Sequence, residues 1–225
     1  MAAYDLEEQE QLAEIKAWWK QYGNRLINVA TAIAVIAAAW QGWNWYQRSQ
    51  AGQASAIYAE LQKAVQLKDT QRIKAAGGEL LEKFGGTPYA ALGALTSAKA
   101  MIDAGDAPSA RAQLAWASEH AKDELRDLAR LREAAALLDE KAYDRALARL
   151  DGGSGAAFEA RFQDMRGDVF AAQGKKSEAA SAYRAALARL DAQEKPGGGF
   201  DWRRGSNNVF RQLIGQKIDA LGGSL

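Results

Sequence analysis

The chain has 225 residues, 48% hydrophobic and 25% charged, so it is too apolar for a disordered polypeptide. Its 29 basic and 28 acidic residues leave a net charge of +1, which gives no footing for a nucleic-acid or acidic-substrate class. With no cysteine there is no disulfide framework, thiolate metal site, cysteine nucleophile or lipid-modified cysteine, and with one histidine, His120, a triad or two-histidine site has little to build on. Three prolines and many alanines point to an all-α chain.

Residues 1–25 open the chain with five acids, Asp5, Glu7, Glu8, Glu10 and Glu14. Within them Leu12, Ile15, Trp18, Trp19 and Tyr22 share one helical face. This predicts an amphipathic segment on the cytoplasmic membrane surface, acting as a collar that sets the depth of the adjoining apolar run.

No charge occurs between Arg25 and Arg48. The intervening 22 positions, LINVATAIAVIAAAWQGWNWYQ, reach roughly 33 Å as a helix, about a hydrocarbon core. The predicted transmembrane helix is therefore 26–46, ending at Leu26 and Tyr46. Trp18, Trp19 and Tyr22 flank one end and Trp40, Trp43, Trp45 and Tyr46 the other, as interfacial aromatics do. The alternatives are a buried core helix and a cleaved signal peptide, which could use Leu26 to Val35 and the small residues Ala37, Ala38 and Ala39. The long acidic leader and the apolar run continuing past the alanines favour an uncleaved anchor. Lys16, Lys20 and Arg25 precede the span and only Arg48 comes closely after it, which puts the N-terminus in the cytoplasm and the rest outside. Ala30, Ala34, Ala38 and Gly42 recur every fourth residue, either a helix-packing strip or the chance product of an alanine-rich run.

Residues 47–225 are predicted to form one domain of stacked helical pairs. The clearest unit, MRGDVFAAQGKKSEAASAYRAALARL, resembles a tetratricopeptide (TPR) repeat through Gly167, Phe170, Gly174, Ala179, Tyr183, Ala186 and Leu187. Small Gly167 and Ala179 let two antiparallel helices close together, Phe170 and Tyr183 fill the space beside them, and Gly174 caps the first helix. Steps back of 33, 36 and 34 residues reach Ala146, Ala110 and Ala76. Around Ala146 stand Ala134, Leu137 and Leu150; around Ala110 stand Ala98, Met101, Gly105, Leu114 and Ala117. Around Ala76 stand Ala64, Leu67 and Leu80, with Pro88 at the closing position. This makes four units, at 50–86, 87–122, 123–156 and 157–191, and each needs its neighbours to bury its apolar face. The large consensus residues of the first helices are missing. Leu61, Leu92, Leu95, Leu128 and Leu131 appear nearby, either as core or as the lining of an apolar concave groove.

Loop 194–205 holds Pro196, Gly197, Gly198, Gly199, Phe200 and Trp202, then Arg203 and Arg204, without the strand or pattern of a phosphate loop. From Asn208 to Leu221, Val209, Phe210, Leu213, Ile214 and Ile218 predict a closing helix over the end of the stack. His120 reads as a helix C-terminal residue, and Asp123, Glu124 and Asp127 as a solvated helix start. No carboxylate pair, nucleophile or metal constellation has usable spacing, so no enzyme, cofactor or metal is expected.

The layout as a whole resembles the ancillary SecYEG translocon subunit (YfgM) family of bacterial inner-membrane proteins. The resemblance rests on YDLEEQEQLAEIKAWWKQYGN, the single span ending WQGWNWYQRSQ, the alanine-rich TPR-like units and the ending LIGQKIDALGG. It implies a single-pass inner-membrane protein with a periplasmic TPR-like domain. The implied partners are the SecYEG translocon, a PpiD-like periplasmic chaperone and exported client proteins. The rival readings are a TPR scaffold for another envelope complex, such as cell-wall assembly, and an enzyme with an unrecognised site.

Overall fold

The computed structural model describes residues 2–193 and 202–222, with side chains over 11–193 and 207–222. Among them are nine helices and no strand: α1 (Ala2–Gln66), α2 (Thr70–Phe84), α3 (Pro88–Asp103), α4 (Ala107–His120), α5 (Asp123–Asp139), α6 (Tyr143–Leu150), α7 (Glu159–Ala172), α8 (Lys176–Gln193) and α9 (Trp202–Ala220). The chain divides into two compact units, Met1–Gln50 and Ala51–Leu225. The first consists of the larger part of α1. The second is a TPR-like solenoid of four helical pairs: the end of α1 with α2, α3 with α4, α5 with α6, and α7 with α8, closed by α9.

Four identical turns give the solenoid its period. Within each pair the first helix ends in a residue of positive φ: Lys68 (54°), Gly105 (77°), Lys141 (59°) and Gly174 (76°). The next residue donates its backbone N–H across the turn, as Asp69 to Ala64 at 3.0 Å, Asp106 to Met101 at 2.8 Å, Ala142 to Leu137 at 2.8 Å and Lys175 to Phe170 at 2.9 Å. The positive-φ residue itself donates to the carbonyl three back in every case. These are Schellman caps, which satisfy the last carbonyls of a helix and reverse the chain. Glycine fills the left-handed position without strain at Gly105 and Gly174; Lys68 and Lys141 hold it against their own Cβ. Asp69 and Asp106 then cap the next helices through the Arg72 and Ser109 N–H groups, both at 3.1 Å.

The same turn residue fixes the register of the core. Seven residues before it stand Leu61, Ala98, Ala134 and Gly167, and nine after it stand Gly77, Leu114, Leu150 and Tyr183; all eight are buried. Pairs two to four place the small residue on the first helix and the large one on the second. A Cβ on Gly167 would lie 2.3 Å from the Tyr183 ring, so that crossing needs glycine. The first pair inverts the order, with Leu61 on the first helix and Gly77 on the second.

This inversion corrects the expected register of the first unit. Leu67 and Ala76 were expected in its core. Leu67 is 61% exposed and Ala76 half-buried, while Leu61, Ala64, Ile73 and Gly77 are buried. The slip is three residues, close to one helical turn, so the apolar stripe stays nearly in phase. The small consensus residue that would have fixed it is absent from this first helix. Leu61, Leu95 and Leu131 are buried, and Leu128 packs partly buried against the core, so these leucines are core rather than groove lining. Pro88 opens α3 at a first-turn position, where a missing N–H is harmless.

The third pair departs most from the others. Its second helix, α6, has only eight residues and leads into a long connection, 151–158. Buried charge holds that connection. Asp127 accepts the Gly155 N–H at 2.7 Å; Arg130 donates Nε to the Arg149 carbonyl at 2.8 Å, Nη1 to Gly153 at 2.7 Å and Nη2 to Asp151. The Arg130 guanidinium lies over the Phe162 ring, and burial pulls its pKa down. Asp127 was expected in a solvated helix start and is 3% exposed, because the chain folds back over it. Glu133, 1% exposed, pairs with Arg149 at 2.9 Å and accepts from Ser118 Oγ at 2.6 Å.

The closing helix begins at Trp202, so residues 202–205 are helical rather than part of the expected loop. The glycine run, with the rest of 194–201, lies outside the described residues.

Candidate docking site

The predicted span lies within α1, a helix long and apolar enough to cross a membrane. Its apolar side chains face outward on every side: Ile27, Val29, Ile33, Ile36, Trp40 and Trp45 are all more than half exposed. Thr31 Oγ1 donates to the Ile27 carbonyl at 2.8 Å, which satisfies a polar group inside the helix. Aromatic pairs stand near the two ends, Trp18 with Tyr22 (5.9 Å) and Trp43 with Tyr46 (6.1 Å). α1 is unbroken from the acidic leader through Leu26 to Tyr46. Ala30, Ala34, Ala38 and Gly42 are exposed, and a Cβ on Gly42 would meet nothing within 4 Å.

The repeat residues read from sequence in the fourth unit come together as one crossing. Gly167, Ala179, Tyr183 and Ala186 are buried, Phe170 packs against them, and Gly174 makes the turn. This crossing is architecture. α9 closes over it with Ile214 and Ile218 fully buried, while Val209 and Leu213 face outward. Lys217 reaches back to Asp164 (2.8 Å) and Asp168 (2.7 Å), and Tyr183 donates to Asp168 at 2.7 Å. Burial would lower the Lys217 pKa, but the hydrogen bonds to the two aspartates outweigh it and hold it raised. Burial and the bond to Asp168 raise that of the Tyr183 phenol. Burial raises that of Asp164, against the pull of Lys217.

The open surface that sequence reasoning missed lies between α3, α4 and α5, a trough of about 550 Å³. Half-buried Ala135 and Ala136 line it, with Ala98, Ala110 and Leu114 buried beneath, and Ile102, 53% exposed, forms a wall. The trough exists because the positions that would fill it are alanine. Two ion pairs close its edges, Lys99 with Asp103 (2.9 Å) and Arg111 with Glu140 (2.6 Å). Arg132 and Asp139, both on α5, line it without an ion-pair partner among the described residues; Arg132 donates only to the Leu95 carbonyl at 3.5 Å. The sequence signal was faint: Ala98 and Ala110 are core, as their spacing suggests, while Ala135 and Ala136 at similar spacing are left half-buried at the surface.

A second cleft of about 540 Å³ lies between Pro88, Trp116, His120 and Leu125. The His120 ring stacks on Trp116 at 4.7 Å and 7°, and its Nδ1 lies 2.9 Å from the Trp116 carbonyl at the end of α4. The contact suits the expected helix-end role. Among the described residues no three His, Asp or Glu side chains are grouped to hold a metal.

Comparison with known proteins agrees with this architecture. The tetratricopeptide repeat-like domain family matches residues 16–223. A protein of Neisseria gonorrhoeae named ancillary SecYEG translocon subunit is 33% identical over 98% of this chain and all of its own length. Proteins of the same name from Haemophilus influenzae (33% identical, 80% of this chain and 89% of theirs) and Escherichia coli K12 (30%, 80% and 87%) are similar over most of both chains.

Proposed function

The chain belongs to the tetratricopeptide repeat-like domain family and is similar from end to end to a protein named ancillary SecYEG translocon subunit, and on that premise we propose that it is a membrane-anchored docking scaffold at the protein-export channel. The observation that carries the reading is the union of an outward-facing apolar helix with a repeat domain in one chain, shared end to end with a relative of that name. In this reading residues 1–25 lie in the cytoplasm, 26–46 cross the inner membrane once, and 47–225 stand in the periplasm. The Lys and Arg bias around the span supports that direction. The scaffold receives newly exported client proteins and acts beside a PpiD-like periplasmic chaperone. A role in another envelope complex, such as cell-wall assembly, finds no separate observation in its favour.

Both the span and the solenoid offer surface. Helix packing in lipid depends on close backbone approach, so the strip at Ala34 and Ala38 is sensitive to bulk if it is used. The test is pull-down of the full chain from mild-detergent extracts of native membranes, read by quantitative mass spectrometry. The channel subunits and the chaperone are expected above background. Ala34→Leu with Ala38→Leu is expected to reduce channel recovery only in part. Channel subunits at background, with components of another envelope complex enriched instead, overturns the reading.

A further inference from the structure

We infer that α1 pairs with the α1 of a second copy of this chain, parallel and in register, along a seam that starts at Leu12 and runs on through the proposed span. The inference rests on the anchored reading, in which residues 26–46 cross the membrane.

α1 is one continuous helix, without proline and, between Leu12 and Tyr46, with glycine only at Gly23 and Gly42. A helix that enters the bilayer at Leu26 therefore projects from it along the same axis. The expected collar, flat on the membrane surface, needs a turn that α1 does not have. At about 1.5 Å per residue Trp18, Ile15 and Leu12 stand roughly 12, 16 and 21 Å beyond Leu26, whereas the headgroup layer is only about 5–8 Å deep. A tilt of about 20° shortens those distances by only about 6%. All three side chains are more than half exposed. Large apolar residues held in water on one helical face call for a protein neighbour.

The spacing identifies the kind of neighbour. Leu12, Ile15, Trp19, Tyr22 and Leu26 follow alternate steps of three and four, the a and d positions of a heptad. The same steps continue through Val29, Ile33, Ile36, Trp40 and Trp43, so every a and d position from 12 to 43 carries a large apolar or aromatic side chain. A straight helix drifts about 20° per heptad against this pattern, roughly 90° over that length, so the stripe keeps facing one neighbour only if two helices supercoil. Contact with lipid imposes no such period. A second copy carries the matching seam by construction and enters the membrane in the same direction.

The flanking positions agree. In a parallel pair the g and e positions set Gln11 beside Lys16, Trp18 beside Gly23 and Arg25 beside Ala30, so no like charges meet. One heptad before Leu12 and Ile15 the seam positions are Asp5 and Glu8, which repel their own copies, and the seam begins after them. The Trp19 ring lies 3.0 Å from where a Cβ on Gly23 would stand, so glycine lets this bulky a residue fold along its own helix and the two axes come close. Ala34 and Ala38 fall at b and f, on the opposite face, which leaves the small-residue strip free for the channel.

The chain has no cysteine, so single cysteines report contacts cleanly. Full-length Leu12→Cys, Ile15→Cys and Tyr22→Cys, with Glu14→Cys, Ala17→Cys and Gln21→Cys as controls, are oxidised in isolated membranes with copper phenanthroline and read as disulfide-linked dimers on non-reducing gels. Dimers at 12, 15 and 22 are expected to exceed those at 14, 17 and 21 at least about fivefold, following the heptad. Ile15→Asp added to Leu12→Cys is expected to lower the dimer at least about fivefold, the scale of one lost apolar contact. Ala34→Leu with Ala38→Leu is expected to leave it unchanged. Equal dimers at all six positions, dimers at none, or mixed disulfides with another protein in their place overturns the inference. So does a dimer that Ile15→Asp leaves intact, or one that Ala34→Leu with Ala38→Leu abolishes. Each of these results, on a chain that stays in the membrane fraction, leaves the anchored reading standing; a chain recovered in the soluble fraction removes that reading and the seam with it.

Discussion

In the fourth helical pair the small residue of the crossing, Gly167, stands on the first helix and the large one, Tyr183, on the second; in the first pair Leu61 and Gly77 exchange those sizes. Both crossings sit at the same distance from the same turn, with the same backbone hydrogen bonds. The solenoid thus fixes the turn and the registered positions, and leaves open which helix carries the volume. The pairs differ also in how they are tied to their neighbours. The first shares an apolar core with α3 and α4 around Leu61, Leu80 and Met101. The fourth is joined to α9 by isoleucines and by the Lys217 cluster.

The largest effect is expected at the glycine crossing. Gly167→Val drives its Cβ into the Tyr183 ring, 2.3 Å from where that atom would stand, and a ring packed on both sides has little room to move. A loss of at least about 3 kcal/mol is expected, a fall of roughly 6–12 °C in the melting temperature of the full chain in detergent. A fall under about 2 °C breaks the claim that this crossing is close-packed.

Leu61→Ala tests the inverted pair. Leu61 is fully buried, and its loss opens a cavity worth about 2–5 kcal/mol. Gly77→Ala is expected to cost less, because its Cβ meets the Oγ of Ser97, a buried hydroxyl with no hydrogen-bond partner of its own that can turn aside. If Gly77→Ala proves the costlier of the two, the assignment of volume in the first pair is wrong.

The polar ties separate the two regions by pH. Asp106 accepts from Lys74 Nζ at 2.6 Å, joining α2 to the start of α4, and hydrogen bonds from Lys74 and Ser109 hold its carboxyl down at about 2. Its contribution is complete above the ordinary aspartate value and is lost as pH falls through about 2. Lys217 and Tyr183 are shifted upward, so the folded state keeps their protons longer than the unfolded chain. Their contribution is present below about pH 10 and fades as pH rises beyond it. Hydrogen exchange is expected to show acid loosening first at α2 and α4, and alkaline loosening first at α9. The reverse order contradicts the assignment of these ties.

The smallest expected effect is a gain. Lys141→Gly removes a Cβ from a left-handed turn and is expected to stabilise by about 0.5–1 kcal/mol, raising the melting temperature by roughly 1–4 °C. Gly105→Lys at the matching turn is expected to lose a similar amount. No change in either variant means that the four turns are not equivalent.

These contrasts show what could be read in advance. The fourth unit was legible because Gly167, Gly174, Ala179 and Tyr183 keep the common order of sizes, and the turn at Gly105 was marked by glycine. The first unit was misplaced by three residues because its sizes are inverted and its turn residue is Lys68, which carries no left-handed signature. Asp127 looked solvated because its partner, the Gly155 N–H, lies 28 residues on in a connection with no periodic pattern. The long apolar helix needed only hydropathy and length. The trough could not be read at all, since half-buried Ala135 and Ala136 are the same letter as the buried Ala98 and Ala110.

The proposed scaffold role depends most on which side of the membrane holds the repeat domain, because only on the exit side can it meet chains that the channel delivers. The direct measurement is a pair of fusions after Leu225 of the full chain, one reporter active only in the cytoplasm and one only outside it. A silent cytoplasmic reporter and an active external one are expected, both on a chain that remains in the membrane fraction. Cytoplasmic activity at that end, or a soluble chain beginning near Trp40, would contradict it.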